Sequence, residues 1–262
     1  MTIALGVLAK DGVVLAADTE LTWGYLKTSG EKIWTTEAET GALAIAGAGP
    51  GGYLEAVSQQ LIDDFQSLRK PITSERIKKR FEKILLAFHK AHVMPYGEAA
   101  SIWFLIALQH GKETDLWATQ NGVIWRRSPY ATVGLGCEYA DALLGKILAA
   151  RLIPGVPLAE RIAAYAVSGT KNNVQNCGKK TSLVALRGGR VIETNASKMM
   201  LLDSYCDRCA DAQTLGTRYA LGFPYKDQGK ASQNLTQYFA GLRHDMVAVN
   251  NLSFEGKEPD LE

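Results

Sequence analysis

The chain has 262 residues, of which 47% are hydrophobic and 21% charged, and a formal net charge of +2. This length suits one large domain, or one domain with an appendage, at roughly 100–200 residues per domain, and the composition excludes a wholly disordered chain. Without long Lys/Arg blocks or an apolar run of about 18 residues, neither a nucleic-acid nor a membrane partner is expected.

The first elements read as a β-hairpin. Residues 2–8 and 13–17 are apolar and β-prone, and Lys10-Asp11-Gly12 between them is a good turn. Lys10 and Asp11 also interrupt the apolar run too early for a signal peptide, so the expected compartment is the cytoplasm. A polar stretch at 31–41 leads to a third strand at 42–46. Residues 53–68 carry Leu54, Val57, Leu61, Phe65 and Leu68 at helical spacing, and Pro71 then breaks the chain. A second helix is predicted over 74–92, with Ser74 as N-cap and an apolar stripe through Ile77, Phe81, Ile84, Leu85 and Phe88. Strands at 101–109, 114–119 and 122–126 follow, the last two separated by Asn121-Gly122. Helices at 138–152 and 157–168 come next, then a strand pair at 181–187 and 190–194. Strands, two helices, strands, two helices, strands: that order predicts a four-layer α/β/β/α sandwich for residues 1–196.

From about Asn195 the pattern dissolves. Residues 197–262 read as a partly irregular C-terminal extension with a mobile acidic tail at 255–262. Four cysteines do not make a disulfide scaffold. Cys206-x-x-Cys209 has zinc-like spacing, but no second pair accompanies it among the other cysteines or His89, His92, His110 and His244, so two ordinary thiols are expected and no metal. Residues 47–52 match G-x-G-x-x-G, yet no second strand ending in an acid follows at the distance a dinucleotide site needs, and no cofactor is expected.

The informative residues lie at the chain start. Thr2 follows Met1, and threonine is small enough for the methionine to be removed, which frees the Thr2 α-amine. A hydroxyl needs a base to become a nucleophile, and an α-amine of pKa about 7.7–8.0 is neutral enough to be one. Such a site wants a cation near the amine, a carboxylate to hold that cation, and backbone N–H groups for the oxyanion. Thr2 opens the first strand and Asp18 closes the second, so the hairpin brings both to one edge. Lys32 follows a connection in which Thr22, Trp23 and Gly24 turn the chain, and Gly47 ends the strand at 42–46. Singly, the Asp is a turn former and the Lys a solvated charge; the spacing is what joins them.

Residues 2–24 resemble the N-terminus of proteasome β-type subunits, including the bacterial two-component protease of the same fold. The similarity continues through Glu31-Lys32-Ile33 and Ile45-Ala46-Gly47. It extends loosely to Gly134-Leu135-Gly136-Cys137-Glu138-Tyr139-Ala140 and to Cys177-Gly178, where the family often has Ser-Gly. The resemblance implies an N-terminal-nucleophile hydrolase sandwich and a threonine-type endopeptidase that works by acyl transfer. Thr2 would be the nucleophile, Lys32 the charge that lowers the amine's pKa, Asp18 the carboxylate that orients Lys32, and the Gly47 amide the oxyanion donor. Thr22 would pair its backbone with an extended substrate. Peptides or unfolded proteins are the implied substrates, a homo-oligomeric ring the implied assembly, and a regulatory ATPase a partner the resemblance allows.

Two positions depart from the family. Its supporting serine falls on Cys137, a weaker donor and acceptor at the substrate site. Its second supporting Asp falls near Val174, where only Asn172 and Asn173 offer a polar side chain. A non-catalytic ring or scaffold subunit therefore stays open, as does an amidase or peptide-ligating enzyme using the same nucleophile.

Overall fold

In the computed structural model, residues 2–23, 25–69, 73–111, 113–120, 122–149, 153–221 and 228–251 are described. Met1, Gly24, Pro71, Asn121, the 150–152 end of the predicted helix and the acidic tail lie outside them. The chain divides into two compact units, Met1–Thr194 and Asn195–Glu262.

The first unit is built from two five-stranded sheets. β1 (Ile3–Ala9) and β2 (Gly12–Asp18) form the expected antiparallel hairpin, Ala4 opposite Ala17 and Ala9 opposite Gly12. With β10 (Tyr130–Gly134), β11 (Thr181–Arg187) and β12 (Arg190–Glu193) they make a sheet of order β10-β1-β2-β11-β12. The second sheet runs in chain order: β5 (Ile33–Ala38), β6 (Gly41–Ala48), β7 (Trp103–His110), β8 (Glu113–Gln120), β9 (Val123–Arg126). A separate two-stranded ribbon, β3 (Glu20–Trp23) and β4 (Leu26–Ser29), joins β2 to β5.

Period-two alternation sorts each strand between two cores. On β6, Ala42, Ala44, Ala46 and Ala48 face the other sheet, where they meet Ala4, Val13, Leu15 and Ala17. Leu43 and Ile45 face the opposite way, into a core made with Leu54, Val57, Leu61, Phe65, Ile77, Phe81 and Leu85. Those residues come from α1 (Gly51–Gln66) and α2 (Ser74–Phe88), which cover the second sheet. α4 (Cys137–Leu148) and α5 (Val156–Asn173) cover the first, α5 against β1, β2 and β11 and α4 against β10. The layers are α/β/β/α, as the element order predicts. Alanine dominates the inter-sheet face of β6, while the larger side chains of that strand meet helices.

Local differences have local causes. The predicted helix 74–92 ends at Phe88, continues as a π turn (His89–Val93) in which Met94 N–H reaches back to His89 O, and passes through α3 (Met94–Tyr96). Pro95 has no N–H with which to prolong the ladder. Ser74 is not the N-cap: Thr73 holds that position without a side-chain cap, and Ser74 Oγ donates to Glu113 Oε2 at 2.6 Å. β3, β4, β5 and β10 were not expected, because β4 is exposed along its length and β5 is an edge strand of mixed Thr, Trp and Glu.

The second unit is not partly irregular over its described residues. It forms two long helices, α6 (Ala196–Ala220) and α7 (Gln228–Asn251). Asn195 caps the first by accepting from Lys198 N at 2.8 Å, and Arg208 ties the two together through Asp245 and over the Tyr238 ring. Leu202, Cys206, Leu242 and Val249 are buried. Among the described residues no helix is long and apolar enough to cross a membrane.

Candidate active site

The hairpin places Thr2 and Asp18 side by side at one end of the first sheet's inner strands, and Lys32, the residue just before β5 of the second sheet, meets them there. All three are buried, with exposures of 4%, 0% and 3%. Thr2 Oγ1 donates to Asp18 Oδ1 at 2.5 Å, Lys32 Nζ donates to the same oxygen at 2.8 Å, and Lys32 Nζ also donates to Thr2 Oγ1. Hydroxyl, ammonium and carboxylate thus form a closed triangle. Ordering it depends on backbone as well. Gly134 has φ +101°, and a Cβ there would stand 2.3 Å from the Thr2 carbonyl oxygen, so only glycine lets β10 hold Thr2 so closely.

Asp18 is the hub. Besides Thr2 and Lys32 it accepts from the N–H groups of Ile3 (3.0 Å), Glu20 (3.3 Å) and Gly178 (3.0 Å). Five donors thus converge on a carboxylate that is fully buried, so its oxygens are satisfied by protein groups in place of water. Burial lowers the proton affinity of Lys32 below that of an ordinary lysine, although Asp18, Cys177 and Glu20 pull it the other way. An amine in that state sits nearer to giving up its proton while still touching the hydroxyl.

The other expected residues are placed as follows. Gly47 lies beside the triangle, but its N–H donates to the Lys32 carbonyl at 3.2 Å, prolonging the β5–β6 ladder, and is not a free oxyanion donor. Its lack of a side chain has a packing cause: a Cβ would meet Leu54 Cδ2 at 2.8 Å and Phe104 Cε1 at 3.0 Å. Thr22 lies within β3 rather than in a turn, opposite Lys27 of β4, and the other edge of β3 pairs with no described strand. Thr22 and Cys137 line a cleft of about 770 Å³ together with Thr2. Burial, then Asp141, pushes the Cys137 thiol up and keeps it protonated.

Neither Asn173 nor Val174 replaces the missing acid. Asn173 Nδ2 donates to Gly169 O at 2.7 Å within its own helix, and Val174 N–H caps that helix on Thr170 O. The residue that sequence reasoning left out of the site is Cys177. It is buried beside Asp18 and Lys32, and burial and the Asp18 charge push its thiol up to about 11. The Cys177-Gly178 pair, noted only as a family match, was the available signal. A thiol held that high should resist iodoacetamide at neutral pH and react only as pH approaches about 11. Mass spectrometry after timed alkylation would show the delay; rapid modification of Cys177 at pH 7.5 would contradict it. Among the described residues no cluster of His, Cys, Asp and Glu could hold a metal ion.

No protein-family model matches the chain. Proteasome subunit beta 1 of Thermococcus gammatolerans is 32% identical over 148 residues, covering 55% of this chain and 69% of that protein. Proteasome subunit beta 2 of Pyrobaculum neutrophilum is 25% identical over 202 residues, covering 76% and 95%. Among solved structures, Anbu (Gly-1 mutant) from Hyphomicrobium sp. strain MC1 superposes with TM-score 0.68 at 15% identity, over 87% of this chain and 99% of that one. Anbu (ancestral beta-subunit) from Yersinia bercovieri gives 0.66 at 12% identity, over 86% and 99%. These likenesses carry the N-terminal-nucleophile sandwich fold. With the fold, the hairpin-borne Thr2 and the first of these relatives in view, the chain belongs to the proteasome β-subunit family.

Proposed function

We propose that the chain is a threonine-type peptidase acting through Thr2 once Met1 has been removed. The observation that carries this reading is the buried contact of Lys32 Nζ and Asp18 Oδ1 with Thr2 Oγ1. Removal of Met1 turns the Thr2 nitrogen from an amide into an amine able to take the hydroxyl proton as Oγ1 attacks the peptide carbonyl. The positive charge of Lys32 keeps that amine unprotonated, and Asp18 holds Lys32 in line. The carbonyl oxygen becomes an oxyanion for which Gly47 N–H exchanges its long bond to Lys32 O. The amine proton passes to the leaving nitrogen, an ester remains on Thr2, and water attacks it to release the second product and restore the hydroxyl. An extended peptide adds alongside the open edge of β3 at Thr22.

Peptides or unfolded proteins are the substrates in this reading and the cytoplasm its place of action. The names of the relatives, subunits of a proteasome, support a homo-oligomeric ring, with a regulatory ATPase as the source of substrate. A second reading, a non-catalytic ring subunit, draws on Cys137 at the serine position and on the absence of an acid at 172–174. Intact mass before and after a hydroxyl-directed β-lactone separates the two. A species lacking Met1 with one adduct, absent in Thr2→Ala, is the expected result. Retained Met1 with no adduct would overturn the peptidase in favour of the scaffold.

A further inference from the structure

Thr2 opens into a cleft that runs between the ends of the two sheets. Two tryptophans line it, Trp103 at the start of β7 and Trp125 in β9, while Ala118 and Val133 leave room between them. Trp103 stays 37% exposed. Large aromatic surface left open in a concave site next to reactive groups is where an apolar ligand group gains most.

One charge completes the cleft. Arg127 lines it, and among the described residues no carboxylate or carbonyl engages its guanidinium. Its neighbour Arg126 is spent instead, two of its three guanidinium nitrogens on the buried Asp115. A free guanidinium offers a planar pair of donors that fits a carboxylate.

We infer that this cleft selects peptides in which a bulky apolar or aromatic residue stands next to an acidic one. The ring lies against Trp103 and Trp125, and the carboxylate pairs with Arg127. The inference rests on the reading of Thr2 as the nucleophile, because it makes the cleft the place where a substrate's side chains are read. It assigns substrate chemistry from residues of β7 to β10, not from the β3 edge that holds the substrate backbone.

Calorimetric titration tests this on the full chain carrying Thr2→Ala, which turns nothing over. The ligands are three blocked peptides, acetyl-Ala-Phe-Glu-Ala-amide, acetyl-Ala-Phe-Lys-Ala-amide and acetyl-Ala-Ala-Glu-Ala-amide. The first should bind about tenfold more tightly than either other, the scale of one hydrogen bond to a charged group against the Lys peptide and of one buried apolar side chain against the Ala peptide. Arg127→Glu should reverse the order of the two Phe peptides. Equal affinities, no binding by any of the three, or an order that survives Arg127→Glu would overturn the inference. The β-lactone adduct on the unsubstituted chain reports separately on the nucleophile. Its absence would remove Thr2 from that role, while the binding order would still decide what the cleft takes.

Discussion

Replacing Lys32 by alanine is expected to stop acylation of Thr2 and to weaken the fold at once. The side chain is 3% exposed and is the only cation described against Asp18, so its loss leaves a buried carboxylate uncompensated. Breaking a buried pair in this way costs about 3–5 kcal/mol, and here the lower end applies because three backbone N–H groups still reach Asp18. The chemical loss should be at least about 10²–10³-fold in kcat, the scale of removing one preorganised electrostatic group. Urea unfolding gives the first quantity and peptide turnover the second. Lys32→Arg keeps a charge in place of Lys32 but not the compact ammonium, so it should regain stability without rate. A Lys32→Ala enzyme within tenfold of the parent would show that the Lys32 charge is not what makes the Thr2 amine an effective base.

Lys32 also has a pH signature. Because burial lowers its proton affinity from the ordinary 10.5, the unfolded chain holds more protons than the folded one in the alkaline range just below that value. Stability contributed by this group therefore rises with pH through that window. Cys177 acts oppositely: its thiol is held from 9.0 to about 11, so the folded chain keeps a proton the unfolded chain loses, and stability falls across that interval. Measured in a Cys177→Ala background, the rise should be present with Lys32 and absent from Lys32→Ala.

Asp18→Ala is expected to be the most destabilising single change in the site. It strands the N–H groups of Ile3, Glu20 and Gly178 and leaves the Lys32 ammonium without its carboxylate. Each orphaned buried donor costs about 1–3 kcal/mol, so the sum approaches the whole stability of a domain. Asp18→Asn separates architecture from chemistry. Its amide oxygen still accepts from part of this set, so the protein should fold and remain less stable than the parent by only a few kcal/mol. It offers no negative charge to Lys32, so acylation of Thr2 should still fall by orders of magnitude. Thermal unfolding of the two variants, read beside adduct formation, checks both halves. A fully active Asp18→Asn protein would show that charge on Asp18 is not needed.

Much of this architecture was legible in one dimension. The continuous apolar, β-prone runs of β1, β2 and β7, the turn at Lys10-Asp11-Gly12, and the stripes of α1 and α2 each carry their own local signal, because burial of both faces of these strands and of one face of each helix imposes it residue by residue. β4 and β5 escaped notice because an exposed or edge strand carries mixed polar and apolar residues. α6 and α7 escaped for a related reason. Their buried positions, such as Leu202, Cys206, Leu242 and Val249, are diluted by small and polar neighbours, and no strong apolar stripe marks them.

The candidate site divides in the same way. Thr2, Asp18 and Lys32 could be picked out by type and spacing, since a hairpin of known turn brings its two ends together whatever follows. The sequence alone therefore determined the sandwich, its order of layers and the family resemblance at the chain start. The tertiary structure decided what those residues touch. Gly47 N–H is bound to the Lys32 carbonyl because β5 and β6 continue pairing past Ile33. Cys177 and Gly178 reach Asp18 from 160 residues away in sequence, in the case of Gly178 by a direct hydrogen bond, because β11 pairs with β2. Trp103, Trp125 and Arg127 line one cleft because the strand ends of two sheets converge beside Thr2. Local pattern encodes which face of an element is buried; which distant elements meet there is set by how the layers close on each other, and no window of sequence contains that.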